Sequence, residues 1–385
     1  MTKQALIIGG GIAGPVTAMA LRKAGLGVRL FEAYDRSSDG VGAFLTLAEN
    51  GLEALRVLDL RDLVIGLGMD TPEGVIVNAK GRELAVTRQP SRTLRRGDLY
   101  GALRDEAARR GVTVEYGKRL TEAAVVSGGV QARFEDGTTA DGALLIGADG
   151  LRSRTRRIID PGAPRPRHLG LLNTGGFAEG VRPPGRPGVS YFVFGRQCFF
   201  GYLIHPDGEV WWFANPASPK EPTAADLAAV TPAALIDLFR DDEGPMRDII
   251  AATPRMLPAW NTYDLPTVPT WSNSHMVIVG DAAHATSPSS GQGASMAIED
   301  AVVLAKCLRD HEPPEAFAAY EHIRRGRVER VVAQGKRNGD GKAPGPFGAL
   351  VRDLILPVVL RQVARRGALS WMYDHRITWD EATIH

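Results

Sequence analysis

The run QALIIGG, residues 4 to 10, is apolar from Ala5 to Ile8 and then breaks into glycine. A short continuous apolar run closed by a turn signal predicts a strand buried on both faces. GIAGPVTAMALRKAG follows as a glycine-started helix pattern, and VRLFE as a second strand. Pro15 suits the first turn of that helix, where a missing N–H costs no intrahelical bond. Helix patterns recur at 49 to 59 and 97 to 110, and VTVEY, QARFED and GALLIGADG read as further strands. This alternation predicts an α/β domain with a largely parallel sheet.

Between about 170 and 270 the texture changes. GVSYFVFG, QCFFGYLIHP and EVWWFANP are aromatic strands separated by Pro, Gly and Asp turns, which predicts an antiparallel sheet. AALIDLFRDD and MRDIIAAT are helix-like, and EGVIVNAKGRELAVTR (73 to 88) is hairpin-like and assigned to the same unit. After 270 the α/β texture returns with SHMVIVGDAAH and a long helical region. NGDGKAPGPFG (338 to 348) reads as a linker. The stretch 347 to 373, apolar with interleaved arginines, reads as a helix packed on the body rather than on a membrane surface.

Composition narrows the class. A chain of 385 residues fits two closely packed domains, and 44% hydrophobic with 23% charged residues is ordinary for a soluble globular protein. A net charge of +2 argues against a nucleic-acid partner. Two scattered cysteines, Cys198 and Cys307, make neither a disulfide framework nor a metal cluster, so no metal is expected and a reducing, cytoplasmic home is. Lys3 ahead of an apolar stretch imitates a signal peptide, but the glycines at 9, 10, 11 and 14 break it. No run of about 18 uninterrupted apolar residues occurs, so no membrane span is expected. The expected assembly is a monomer or homodimer.

Three segments carry chemistry. Gly9-Gly-Gly11-Ile12-Ala13-Gly14 satisfies G-x-G-x-x-G between a strand and a helix. Gly9 permits the tight turn, Gly11 lets a pyrophosphate approach the backbone, and Gly14 permits close helix–strand packing. The helix N-terminus then offers oriented N–H donors to the phosphates. Glu32, at the end of the second strand, suits ribose hydroxyls and repels a 2′-phosphate, favouring FAD or NAD over NADP at this site. The second segment, LLIGADGLRSRTRR (144 to 157), ends a strand at Gly147 and turns at Asp149. Alone it reads as a basic surface turn. Its arginines lack the extended basic face and interleaved aromatics that nucleic acid needs.

The third segment is GDAAHATSPSSGQGASMAIEDA, 280 to 301. Asp281 directly follows an apolar strand, where an exposed carboxylate accepts hydrogen bonds from a polyol or ribityl chain. From Gly291 the backbone N–H groups are free, because a helix starting near Ala294 cannot bond its own first turn. Preceded by G-Q-G, that N-terminus is an anion site with no side chain in the way. A dinucleotide does not need this second site, whereas a flavin does.

With GGGIAG at 9 to 14, ADGLRSRTR at 148 to 156 and GDAAHATSPSSGQG at 280 to 293, the chain resembles the class A flavoprotein monooxygenases, the p-hydroxybenzoate hydroxylase-like aromatic hydroxylases. LRRGDLYGAL is a weaker fourth match that puts Arg96 in the place of the family's flavin-contacting arginine. The resemblance implies a discontinuous Rossmann-like FAD-binding domain (1–72, 89–168 and 271–345) with an inserted β-sheet-rich substrate domain (73–88 and 169–270). A C-terminal helical segment (346–385) completes the α/β fold. By the same resemblance Gly9, Gly11, Ile12, Ala13, Gly14 and Glu32 hold the ADP half of FAD, and Asp281 holds the ribityl chain. Pro288, Gly291, Gln292, Gly293 and Ala294 face the isoalloxazine, and Asp149 and Arg156 belong to the motif linked to both FAD and reduced nicotinamide. The family often has a basic residue shortly before its G-x-G after the second strand. RSSDGVGAF offers only Arg36, a little early, which leaves the NADH or NADPH contact open.

The implied reaction uses NAD(P)H and O2 to hydroxylate or epoxidise an electron-rich aromatic molecule through a C4a-hydroperoxyflavin. The protein supplies binding, orientation and electrostatics, and the helix after Gly293 suits the negative charge that develops on reduced flavin. Tyr191, Tyr202, Trp211 and Phe213 alternate along strands, so only part of the set faces one side, and Phe44 is a further candidate wall. His205 is the candidate base for a phenol, though H-P-D-G is equally a plain turn, and no other catalytic residue is assigned. An FAD dehydrogenase or oxidase on the same fold, or an idle FAD-binding protein that sequesters a ligand, are the alternatives. A halogenase lacks its W-x-W-x-I-P.

Overall fold

Strand Gln4–Ile8 is buried from Ala5 onward, and its alternate side chains go to two different cores. Ala5 and Ile7 join Val16, Leu21, Leu30 and Ile298 among the helices. Leu6 and Ile8 join Phe31, Val130, Phe134 and Leu145 on the opposite face. Both faces are therefore covered, as its unbroken apolar run requires. The computed structural model describes residues 4–35, 43–342 and 369–383. Arg36, most of the linker-like 338–348 and most of the apolar stretch 347–373 lie outside them.

Five parallel strands form the first sheet, in the order Met276–Ile278, Leu144–Gly147, Gln4–Ile8, Gly27–Phe31, Thr113–Glu115. Ile8 pairs with Gly147, and Gly147 with Ile278. Three distant segments thus leave the sheet at one level, side by side, at its carboxyl end, where ligands bind in open α/β sheets. QARFED does not extend this sheet. It lies in strand Gly129–Phe134, antiparallel to Leu120–Val126 and Thr139–Gly142, and this separate layer covers Leu6, Ile8 and Phe31.

The second sheet has seven strands, ordered Trp260–Asp264, Arg167–Ala178, Val210–Pro216, Cys198–Ile204, Val189–Phe194, Glu73–Asn78, Glu83–Arg88. Its pairings are antiparallel except one, Val189–Phe194 with Glu73–Asn78, which is parallel. The hairpin 73–88 arrives from a distant part of the chain, so no tight turn forces the antiparallel direction there. Helices Pro232–Asp237 and Met246–Ala251 cover one face, where Trp212, Phe200, Tyr202 and Val193 pack on Leu235, Phe239 and Ile249. A small antiparallel sheet, Phe44–Ala48, Ser91–Arg95 and Gly68–Asp70, brings Phe44 and Met69 to the other face.

Helix Gly293–Asp310 is buried on nearly every side between helices Ala13–Lys23, Glu49–Arg56 and Pro313–Asp340. It nevertheless carries two adjacent acids, Glu299 and Asp300, both without solvent access. Arg324, equally inaccessible, donates to Asp300 Oδ1 at 2.7 Å and to Glu299 Oε2 at 2.5 Å. Arg327 donates to both Glu299 oxygens at 2.8 Å. His284 and the Gly280 amide take the other Asp300 oxygen, at 2.5 and 2.8 Å. Residues 369–383 lie against the helices, with Trp379 between Lys23 and Arg309. Among the described residues no helix is long and apolar enough to cross a membrane.

Removing one member of a buried ion network strands the others. Arg324→Met is expected to cost about 3–5 kcal/mol of unfolding free energy in denaturant titration. Burial alone would raise the Asp300 carboxyl, but His284 and Arg324 hold it down at about 2. Its folded pKa lies below its unfolded one, so its contribution is complete above about pH 4 and is lost as pH falls towards 2. Acid titration of the melting temperature should show that loss, and Asp300→Asn should flatten it.

Candidate functional site

Gly9 has φ +108°, and a Cβ there would stand 2.3 Å from the Ala148 carbonyl oxygen. The first glycine loop therefore lies directly on the second motif. A Cβ on Gly14 would fall 1.8 Å from the Gly9 oxygen and 3.1 Å from Leu30, so helix, loop and strand meet there. Gly11 differs, since a Cβ on it would meet nothing within 4 Å. Its missing side chain leaves open space beside the N-terminus of helix Ala13–Lys23, in the position a pyrophosphate needs. Glu32 stands beside this loop and accepts hydrogen bonds from the Gly10 amide and, at 2.9 Å, the Tyr34 amide.

Asp149 turns inward on its own segment. It accepts from Ser153 Oγ at 2.5 Å and from the Arg154 and Thr155 amides at 2.8 and 2.9 Å, capping helix Arg154–Ile159. Arg156 is buried and donates to the carbonyls of Ala282 and Leu151, both at 2.8 Å. These two residues fasten the second motif to the third.

Gly280 has φ +60°, and a Cβ there would press on Ala297 and Ala13 at 3.1 and 3.3 Å. Asp281 opens the short helix Asp281–His284 and is exposed, although its neighbours Ala282, Ala283 and His284 are buried. Although the residue is open to solvent, desolvation by the protein packed around its carboxyl pushes the pKa up, while His284 and Arg96 oppose the rise. Pro288 and Gly291 are also exposed, and Ile12, Ala13, Gly293 and Ala294 half-buried, so an open strip of backbone runs from the first glycine loop past Asp281 to helix Gly293–Asp310. The Gln292 side chain turns away from that strip: it is buried and accepts from Asn50 Nδ2 at 3.0 Å. Gln292 offers this site its backbone only.

Trp211 and Phe213 share the face of the seven-stranded sheet turned away from helices Pro232–Asp237 and Met246–Ala251. Phe44 packs on them with ring centroids 5.6 and 6.1 Å away, and Phe177 meets Trp211 at 5.6 Å. Tyr191 and Tyr202 do not join them. They stack on each other at 4.9 Å in the helix-covered core, because strand alternation places them opposite Trp211 and Phe213. His205 stacks on Trp211 at 5.2 Å with its Nδ1 2.7 Å from Asp207, in the turn that closes at Glu209. This face borders the cleft at two places. The Arg96 amide bonds the carbonyl of Ala43, next to Phe44, and the Arg96 charge acts on Asp281. On the other side Asn338 donates to the Ser289 carbonyl at 3.2 Å, four residues before Lys342 reaches Phe213. A separate cleft of about 450 Å3, lined by Gly25, Leu144, Arg309 and Glu315, sits at the amino ends of the parallel strands, the wrong end for a ligand in such a sheet.

The sequence model of the FAD binding domain matches residues 2–335. The chain belongs to that family. It is 31% identical over 370 residues to an aurachin C monooxygenase/isomerase of Stigmatella aurantiaca, covering 91% of this chain and 93% of the relative. It is 29% identical over 363 residues to an FAD-dependent urate hydroxylase of Klebsiella oxytoca, covering 88% and 90%. In fold it is similar to Klebsiella pneumoniae HpxO complexed with FAD and uric acid, with a TM-score of 0.85, 24% identity and coverage of 97% and 96%. The protein is an FAD-dependent class A flavoprotein monooxygenase, and FAD is its cofactor.

The residues of this flavoprotein fit that cofactor. Open space at Gly11, an exposed carboxylate at Asp281 and a half-buried helix N-terminus at Gly293 are the provisions a pyrophosphate, a ribityl chain and an electron-accepting ring require. Sequence reading missed Phe177, Arg95 and Lys342 on the aromatic face. Arg95 lies 4.0 Å over Phe177 and pairs with Glu209 at 2.5 Å. Phe177 belongs to a twelve-residue strand that glycines interrupt, and Lys342 lies in a stretch of linker composition.

The glycines make a separable prediction. Gly11→Val should fold with an unchanged apoprotein melting temperature yet purify without flavin, whereas Gly14→Val should lower the melting temperature as well. Asp281→Ala should weaken FAD retention about 10- to 100-fold, read from the ratio of flavin to protein absorbance after dialysis. Full flavin occupancy in Asp281→Ala would contradict its assignment.

Proposed function

We propose that this flavoprotein uses NADH or NADPH and O2 to hydroxylate or epoxidise a small electron-rich aromatic molecule. The observation that carries the reading is the aromatic face of Phe44, Phe177, Trp211 and Phe213, uncovered by helices and bordered by the strip that runs past Asp281. A flat aromatic molecule would be held there by offset and edge contacts with the half-buried rings of Phe44, Phe177 and Phe213, with Trp211 buried behind them. Relatives named as an aurachin C monooxygenase/isomerase and an FAD-dependent urate hydroxylase support oxygen transfer to a small molecule. Bound FAD supplies the electrons and the activation of oxygen.

The chain's own residues supply the rest. Gly9, Gly11, Gly14 and Glu32 hold the ADP half, and Asp281 with Arg96 beside it receives the ribityl chain. The backbone from Pro288 to Ala294 would hold the flavin ring, and the first-turn amides and dipole of helix Gly293–Asp310 would suit negative charge on it. Asp149 and Arg156 act by holding those segments together. The aromatic wall excludes water, which favours oxygen transfer over wasteful peroxide release. His205 is tied to Asp207 and stacked on Trp211, which fits an edge of the wall. Residues 1–72, 89–168 and 271–345 form the FAD-binding domain in this reading, and 73–88 and 169–270 the substrate domain. Two free buried cysteines suit a cytoplasmic home.

The decisive measurement is nucleotide oxidation across an aromatic panel under 18O-labelled dioxygen. The reading expects substrate-stimulated oxidation with one labelled oxygen atom in the product. Stimulated turnover without label in any product would mark a dehydrogenase or oxidase instead.

A further inference from the structure

Lys342 stands just past helix Pro313–Asp340 and reaches the aromatic face from the side of the 286–290 turn. Its ammonium lies 4.2 Å from the Phe199 ring centroid and 5.5 Å from that of Phe213. It donates to Asn215 Oδ1 at 2.8 Å. Asn215 is itself buried and held, since its amide nitrogen donates to the Leu172 carbonyl and Asn173 Oδ1, both at 3.1 Å. The lysine is therefore aimed, not loosely draped.

Its electrostatic situation differs from that of two other cations that the fold sets against acids. Arg95, on the same face, is paired with Glu209, and Arg324 with Glu299 and Asp300. Among the described residues no carboxylate pairs with Lys342. An ammonium carries three donors, and here one neutral amide oxygen and two ring faces receive them. Lys342 is half-buried, and a charge partly withdrawn from water with no acid beside it is short of an anion. Burial lowers its pKa to about 7, with the neighbouring Cys198 acting in the opposite direction. A negative oxygen arriving beside it would relieve that penalty. Packing alone does not account for the residue, because an uncharged methionine would cover Phe199 as well.

We propose that Lys342 is a specificity-determining residue that binds an ionised oxygen of the aromatic substrate, a phenolate, enolate or carboxylate, with Asn215 fixing the ammonium and Phe199 and Phe213 flanking the ring. The proposal rests on reading this face as the substrate pocket. An ionised ring oxygen also raises electron density at the ring carbons, as electrophilic oxygen transfer demands, so one contact would serve recognition and reactivity.

The test is binding to the FAD-loaded enzyme, followed by calorimetry and by the flavin difference spectrum, with benzoate and benzamide as probes alike in shape and different in charge. Wild type is expected to prefer benzoate by about 10-fold or more. Lys342→Met should bring the two affinities within about twofold, and Lys342→Arg should retain most of the preference, with flavin content and melting temperature unchanged in both. Equal affinities in the wild type would overturn the proposal. So would an unchanged benzoate preference in Lys342→Met, or a loss of both affinities together with a lowered melting temperature, which a purely structural lysine would give. Because the readout is binding, a failure of oxygen transfer overturns the reaction assigned above without deciding this result.

Discussion

Asp300 is a carboxylate without access to water, and the cofactor site hangs from it. One of its oxygens takes the Gly280 amide and His284, and the other takes Arg324. Gly280 is the residue at which the chain leaves the sheet with a positive φ, so the bond fixes the direction in which Asp281 departs. The same helix that carries Asp300 begins at Gly293, where its free amides face the strip. A shift of this helix would move the ribityl carboxylate and the positive helix end together. Burying two acids costs free energy that only full pairing offsets, and Arg324 with Arg327 supplies the pairing from a second helix. The network works as a clamp between helices, and the clamp sets the geometry of the site.

The glycines around that clamp divide their tasks by what surrounds them. At Gly9, Gly14 and Gly280 the missing Cβ is demanded by protein atoms, because the three motifs press on one another. At Gly11 no protein atom demands it. Space left at a helix N-terminus, with nothing in the fold to account for it, is a sign of a ligand that packing alone would not leave. Asp149 and Arg156 show the reverse. Both belong to a motif that the resemblance links to cofactors, yet the Asp149 carboxylate and both terminal nitrogens of Arg156 bond the protein.

How far the sequence could be read followed from the range of the forces involved. The parallel strands, the glycine helix and the hairpin 73–88 rest on local periodicity and turn residues, so they were legible. The layer to which QARFED belongs was not, since pairing with Leu120–Val126 rather than with the parallel sheet is a long-range choice that alternation does not encode. The same limit hid the parallel contact of Glu73–Asn78 with Val189–Phe194. Tyr191 and Tyr202 were candidates for the pocket until register placed them in the helix-covered core. Glu299 and Asp300 carried a signal that went unused: two acids in a stretch, 293 to 305, that is otherwise uncharged and mostly small or apolar imply buried partners. Lys342 carried none, because its neighbours are glycines and prolines, and only the fold brings it to Phe199.

The three motifs and the aromatic face obey different constraints. Holding FAD requires backbone at fixed distances, and backbone leaves its mark as glycine, so the motifs stand out in a single sequence. Holding a substrate requires side chains from strands and helix ends that are far apart in the chain, and each of them alone looks like core. Phe44, Phe177, Phe199 and Phe213 would be unremarkable in any sheet. What sets this face apart is charge: a cation at one border that already has its carboxylate, Arg95 with Glu209, and one at the other, Lys342, that among the described residues has an amide oxygen and two rings. A wall of aromatic rings rewards any flat molecule, and so it cannot choose among them. Choice requires a group whose free energy depends on which molecule arrives, and a half-buried cation short of an anion is such a group.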